Sequence, residues 1–175
     1  IKEKVVFFGL STEGYSLASQ MAINGADVQI IDESSSSAIL LKSEVAKTYT
    51  NVISLREDEP LLAMEPSKVA ISKAKYLFFT PRIRKTGQDL KTEVNSKFKD
   101  AVGSLKKGSS IINCLATGFG GNNENISLLK HVTGYEAGKT ISYFYFPLNN
   151  LTKAPEAIGS LKMADEKKLL SLLKT

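Results

Sequence analysis

Short apolar runs bounded by glycine or proline alternate along the chain with stretches whose apolar residues recur every three or four positions. Lys4-Val5-Val6-Phe7-Phe8, stopped at Gly9, reads as a strand buried on both faces. Beyond Gly14 the apolar residues Tyr15, Ala18, Met21 and Ala22 share one helical face, and Asn24-Gly25 ends that helix. Ala26-Asp27-Val28-Gln29-Ile30-Ile31 is a second strand that stops at Asp32-Glu33, completing a strand–helix–strand unit. The serine run 34–37 reads as a loop or cap, Ala38 to Lys47 as a helix, and Asn51 to Leu55 as a short third strand. Pro60 and Pro66 interrupt the next stretch, until Tyr76-Leu77-Phe78-Phe79 forms a buried strand closed by Thr80-Pro81.

The second half repeats the alternation. Asp89 to Leu105 has helical spacing, Ser109 to Leu115 is strand-like, and the glycine-rich 118–123 loop leads into a helix through Ile126, Leu129 and Val132. Thr140 to Phe146 alternates up to Pro147, a short strand is expected over Ala157 to Leu161, and a last helix from Asp165. Strands and helices in this order predict an α/β fold, Rossmann-like and doubly wound, with a mostly parallel sheet and helices on both faces. The 175 residues suit one domain, 1–175, able to bury roughly two-thirds of its unfolded surface.

Composition narrows the chemistry. One Cys and one His exclude a disulfide framework and a Cys-rich zinc site, so no metal is expected. No apolar run nears the roughly 20 residues of a membrane span, and Ile1-Lys2-Glu3-Lys4 runs straight into the first strand without a leader-like segment. A cytoplasmic location is the expectation. The net charge of +5 is spread over helix surfaces rather than gathered on one face with aromatics, which speaks against nucleic acid as a partner.

Ligands of open α/β sheets bind beyond the carboxyl ends of the strands. Gly9-Leu10-Ser11-Thr12-Glu13-Gly14 comes directly after the first strand and departs from the dinucleotide fingerprint G-x-G-x-x-G at Ser11. Gly9 would make the tight turn, Gly14 would let the helix approach the sheet, and the amides between them could cradle a pyrophosphate. Asp32 lies 23 residues after Gly9, near the spacing of a carboxylate that binds ribose hydroxyls. Acidic Asp32-Glu33 would repel a 2′-phosphate, which favours NAD over NADP as cofactor. Ser11 adds a hydroxyl where the backbone should come nearest the phosphates, and Glu13 sets a negative charge beside them. The other strand ends, Thr80-Pro81, Ala116-Thr117 and Pro147, complete the candidate edge.

Taken in order, these segments resemble the UDP-glucose/GDP-mannose dehydrogenase family. Lys4 to Gly9, Gly14, Gly25-Ala26-Asp27-Val28 and Asp32 resemble its opening, and Ala74 to Pro81 its strand ending in Thr-Pro. Gly87-Gln88-Asp89-Leu90 resembles its next helix start, Leu105 to Gly121 its Ser-Thr-Val-Pro-Pro-Gly region, and Gly134 to Pro147 its segment ending in Pro-Glu-Arg. Ala157-Ile158-Gly159 and then Asp165-Glu166 resemble the strand and helix beyond that segment. The resemblance implies the NAD-binding domain of an enzyme that oxidises a nucleotide-sugar alcohol to a uronate. It places Thr80 and Thr117 near the nicotinamide and Asp32 on the adenosine ribose. Leu148 and Asn149 stand where the family has Glu and Arg, and the sugar-binding domain with its catalytic Cys and Lys has no counterpart here. A homodimer, or a partner chain supplying that domain, is the expected assembly, with a nucleotide sugar as substrate.

Two other readings compete: a non-catalytic Rossmann-like module that has lost its cofactor, and an S-adenosylmethionine enzyme, disfavoured by Thr80-Pro81 and Thr117. Cys114 reads as a packed thiol and His131 as a helix-terminal residue. Arg82, Arg84 and Lys85 read as loop cations, solvated or facing a substrate phosphate.

Overall fold

In the computed structural model, which describes residues 3–40, 46–55, 60–83, 87–116, 121–148 and 154–173, the first apolar run is a central strand, β1 (Lys4–Phe8). Helix α1 (Thr12–Ile23) carries the chain to β2 (Asp27–Leu40), which lies parallel to β1 with Phe8 beside Ile31. Next come β3 (Ala46–Leu55), β4 (Pro60–Pro66), the short helix α2 (Ser67–Ser72) and β5 (Tyr76–Phe79). The remainder is α3 (Gly87–Val102), β6 (Ser110–Asn113), α4 (Gly121–Thr133), β7 (Ser142–Tyr145), β8 (Glu156–Gly159) and α5 (Met163–Leu173).

One eight-stranded sheet has the order β4-β3-β2-β1-β5-β6-β7-β8. Its centre, from β2 through β1, β5 and β6 to β7, is parallel, and β3, β4 and β8 join antiparallel at the two flanks. The expected Rossmann-like α/β architecture is what the chain adopts. Alternate residues of the central strands feed two cores. Val5, Phe7, Tyr76 and Phe78 pack with Ala18 and Met21 of α1 and Leu169 of α5. Val6, Phe8, Leu77 and Phe79 pack with Ile71 of α2, Phe98 of α3 and Leu129 of α4.

Three expectations are overturned here: the second strand does not stop at Asp32-Glu33, the serines 34–37 form part of it rather than a loop or cap, and the described residues of Ala38 to Lys47 are strand rather than helix. Ala38 to Leu40 belong to β2 and Ala46 and Lys47 to β3, with 41–45 outside the described residues. The two strands pair antiparallel from Val28–Leu55 out to Leu40–Ala46, with an irregularity between Asp32 and Ser37. The described ends of the segment pair with each other, Leu40 with Ala46 and Ile39 with Lys47, and this ladder overrides the local helical spacing; Ile39, Thr48, Tyr49, Thr50, Val52 and Ile53 favour the extended form. The third strand is accordingly longer than Asn51 to Leu55. Pro60 and Pro66 bound an edge strand rather than merely breaking the chain, a position where a missing amide donor is tolerated.

Beneath α5 runs a buried polar row. Tyr76, Ser110 and Ser142 lie side by side on adjacent strands. The Ser142 hydroxyl donates to Asp165 at 3.2 Å and accepts from the Leu161 amide at 2.9 Å. The Tyr76 hydroxyl and Ser110 Oγ are buried without a hydrogen bond among the described residues. Burial, aided by the nearby Glu3 and Asp165 carboxylates, pushes the Tyr76 phenol up to about 12.

Candidate functional site

With β2 on one side of β1 and β5 on the other, the order in which the parallel strands are added reverses at β1, and the loops after β1 and β5 meet beside the crevice at this switch point. Gly9 turns the first loop at φ +120°, and a Cβ there would stand 2.4 Å from the Thr80 carbonyl oxygen. A Cβ on Gly14 would meet the Thr80 Cβ at 3.0 Å and Ser11 Oγ at 2.8 Å. The Thr80 hydroxyl donates to the Gly9 carbonyl at 2.8 Å. Both glycines therefore serve the close packing of this turn on Thr80-Pro81.

Ser11 is the N-cap of α1. Its backbone is extended, its hydroxyl accepts from the Gly14 amide at 3.1 Å, and its carbonyl accepts from the Tyr15 amide at 2.8 Å. The hydroxyl is thus turned into the helix. The amides of Thr12 and Glu13 have no partner among the described residues, as the first turn of a helix dictates, and both residues are exposed.

The two acids just beyond the part of β2 that pairs with β1 do different things. Asp32 is half-buried, and one carboxylate oxygen accepts from the Ser34 amide at 3.2 Å and the Ser34 hydroxyl at 2.7 Å. Glu33 reaches the crevice instead. Its carboxylate accepts from the Leu10 amide at 3.2 Å, the Arg82 amide at 3.0 Å and the Lys97 ammonium at 3.2 Å, with its side chain only 4% exposed. Lys97 of α3 also donates to the Arg82 carbonyl at 2.8 Å and pairs with Glu93 at 3.2 Å. Spacing along the sequence selects Asp32 and passes over Glu33 and Lys97. The signal for Glu33 lay in the alternation of the strand, which sends adjacent side chains opposite ways. None existed for Lys97, 64 residues further on.

Along the same edge opens a cavity of about 590 Å³. Its walls are Ser11 and Glu13 at the start of α1, Thr80 and Pro81 after β5, Cys114, Leu115 and Ala116 after β6, Leu148 after β7, and facing residues of α3 and α4. Across its mouth Glu124 of α4 accepts from Asn95 at 3.1 Å and pairs with Lys91 at 3.5 Å, tying α3 to α4. A buried network holds the β6 end and the α4 start together. Asn122 Oδ1 accepts from Asn113 at 3.0 Å and from the Tyr143 hydroxyl at 2.8 Å, and Asn125 donates to that hydroxyl at 3.1 Å. Burial drives the Tyr143 phenol well above its ordinary range, so it stays a neutral donor. Tyr143→Phe, which takes the acceptor from the buried Asn125 amide and leaves Asn122 with Asn113 alone, is expected to cost about 1–3 kcal/mol in urea unfolding.

Among the sequence-derived candidates, Ser11, Glu13, Thr80 and Pro81 line the cavity. Gly9 and Gly14 lie behind it, Leu10 sits on Glu33, Thr12 offers its amide, and Asp32 is not part of the lining. Thr117, Arg84, Lys85 and Asn149 lie outside the described residues. The Arg82 backbone is engaged on both sides by Glu33 and Lys97. Cys114 faces the cavity as a buried thiol that desolvation pushes far up, a packing role. His131 is exposed in the last turn of α4, where its charged form suits the helix dipole. Among the described residues no group of three or more His, Cys, Asp or Glu could hold a metal, and no helix is long and apolar enough to cross a membrane.

This edge defines an α/β domain of the Rossmann-like class with a cavity at its topological switch point. Solved structures of similar fold include a UDP-D-ManNAc dehydrogenase from Pyrococcus horikoshii (11% identity, TM-score 0.64, 97% of this chain and 44% of that one). They also include a UDP-N-acetyl-mannosamine dehydrogenase from S. aureus (12%, TM-score 0.58, 98% and 45%). A third is an NDP-N-acetyl-D-galactosaminuronic acid dehydrogenase from Methanosarcina mazei Go1 (14%, TM-score 0.65, 99% and 42%). The chain spans less than half the length of each, and the likeness is one of fold. No family model and no curated protein matches the sequence.

Proposed function

We propose that this chain is the NAD-binding part of a nucleotide-sugar dehydrogenase, incomplete as a catalyst alone. The observation that carries the reading is the cavity of about 590 Å³ at the carboxyl edge, into which the start of α1 opens. In this reading the Thr12 and Glu13 amides hold the diphosphate, Ser11, Thr80 and Pro81 border the coenzyme, and Asp32 receives the adenosine ribose. Bound NAD supplies a hydride acceptor, and the chain's own residues orient it and shield it from water. The substrate is a UDP- or GDP-sugar alcohol, and the partner is a second copy of this chain or a chain that carries a sugar-binding half. The compartment proposed is the cytoplasm.

Glu33 on the Leu10 amide, and glycines whose place is explained by their packing on Ser11 and Thr80-Pro81, favour a second reading: a Rossmann-like module for association or regulation. Calorimetric titration separates the two. NAD is expected to bind, NADP about tenfold more weakly because the Asp32 carboxylate faces its extra phosphate. Asp32→Ala is expected to weaken NAD by about tenfold or more, the loss of one charge-assisted hydrogen bond. Absence of NAD binding at millimolar concentration leaves the module reading.

A further inference from the structure

Three donors from three separate elements converge on one nearly inaccessible carboxylate at the switch point. We propose that the Leu10 amide, the Arg82 amide and the Lys97 ammonium form an anion subsite that Glu33 fills in the resting chain. A phosphate or carboxylate group of the ligand takes the subsite over by displacing Glu33. The proposal rests on the nucleotide reading of the neighbouring cavity and adds to it a built-in competitor.

The donors keep their places without Glu33. Leu10 comes after Gly9, which is wedged against the Thr80 backbone and bonded to its hydroxyl at 2.8 Å. The Arg82 peptide is held through its carbonyl by Lys97 at 2.8 Å. Lys97 is held by Glu93, one helical turn away, at 3.2 Å. Removing the carboxylate therefore leaves a preformed ring of donors rather than a collapsed loop, and the charge-assisted hydrogen bond that Lys97 offers favours an anion there.

Charge decides between displacement and co-binding. Lys97 is shared by two carboxylates, Glu33 and Glu93, so this cluster already carries surplus negative charge. A ligand anion added beside Glu33 meets repulsion at close range, whereas one that replaces Glu33 keeps the balance. Space for the exchange exists. The hollow of about 690 Å³ that Glu33 lines beside α2 and α3 is also lined by Lys68 and Lys99, cations toward which the freed carboxylate can turn. On the other side, Leu10 is two residues from Thr12, whose amide is open.

The test uses Glu33→Ala, with Glu33→Gln as a second variant should the first not fold. Thermal unfolding is monitored at constant ionic strength with sodium acetate or inorganic phosphate at about 50 mM against chloride. Either anion is expected to raise the melting temperature of Glu33→Ala by about 3 °C or more while leaving the parent unmoved. Calorimetry with NAD is expected to show the variant binding about tenfold more tightly than the parent, because the competitor is gone. No anion-specific stabilisation of either variant overturns the subsite. Weaker or equal NAD binding by the variant overturns displacement. Anion stabilisation with no NAD binding to parent or variant supports the subsite and removes the coenzyme reading instead.

Discussion

Gly9→Ala is expected to destabilise the protein by about 4 kcal/mol or more, the largest effect of any methyl-sized change here. Two costs combine at this position. The backbone sits at φ +120°, outside the range an L side chain readily adopts, and the added Cβ would lie 2.4 Å from the Thr80 carbonyl oxygen and 2.5 Å from the Pro81 Cα. Those atoms are main chain, so neither can turn aside. The loops after β1 and β5 would have to separate, breaking the Thr80 hydrogen bond to Gly9 and loosening the Leu10 amide from Glu33. Gly25→Ala provides the control. It also has a positive φ, +96°, but nothing lies within 4 Å, so it should cost only the backbone strain, about 1 kcal/mol. Urea unfolding of both variants checks the comparison, and equal losses would falsify the collision argument.

Phe98→Ala is expected to cost about 3–5 kcal/mol. Phe98 is fully buried and meets the ring of Phe79 edge-on, with centroids 5.3 Å apart. Its neighbours on the buried side of α3 are Ala101 and Val102, too small to refill the space. The loss reaches beyond stability, because α3 also carries Lys97 on the Glu33 side and Leu90 and Val94 on the cavity wall. Amide exchange in α3 should quicken more than in α1, which packs on the opposite face. A drop below about 1 kcal/mol would mean that the helix is held mainly by other contacts.

What the sequence made legible was the part governed by local punctuation. Gly9, Gly25 and Thr80-Pro81 mark strand and helix ends that the structure reproduces, and the apolar runs over Val5–Phe8 and Tyr76–Phe79 do form the buried centre. Residues whose state is set by pairing rather than by period were harder to read. Ala38 to Lys47 has helical spacing on its own, yet its described ends lie in a ladder, Ile39 opposite Lys47, that no period announces. The helix α2 holds just 6 residues, too few for a period to show. In the candidate site the turn and its cap could be read, but the partner of the Leu10 amide could not. A spacing rule selects Asp32, whereas the choice between Asp32 and Glu33 depends on Arg82 and Lys97, brought near by the fold. The Asn113–Asn122–Tyr143 network escaped for the same reason.

A strand greasy on both sides says little about its own phase: shifted by one residue, β6 would still present isoleucine to each layer. The instruction that forbids such slippage comes from its far end. Asn113 must reach Asn122, to which it donates at 3.0 Å, whereas Ser110, in line with Tyr76 and Ser142, has no hydrogen bond to lose. Moved by one position, the Asn113 amide would enter the opposite layer with no partner for it, at a cost of kilocalories. That interred amide thus works as an index mark, aligning the β6 terminus so that Cys114, Leu115 and Ala116 arrive at the cavity rather than beside it.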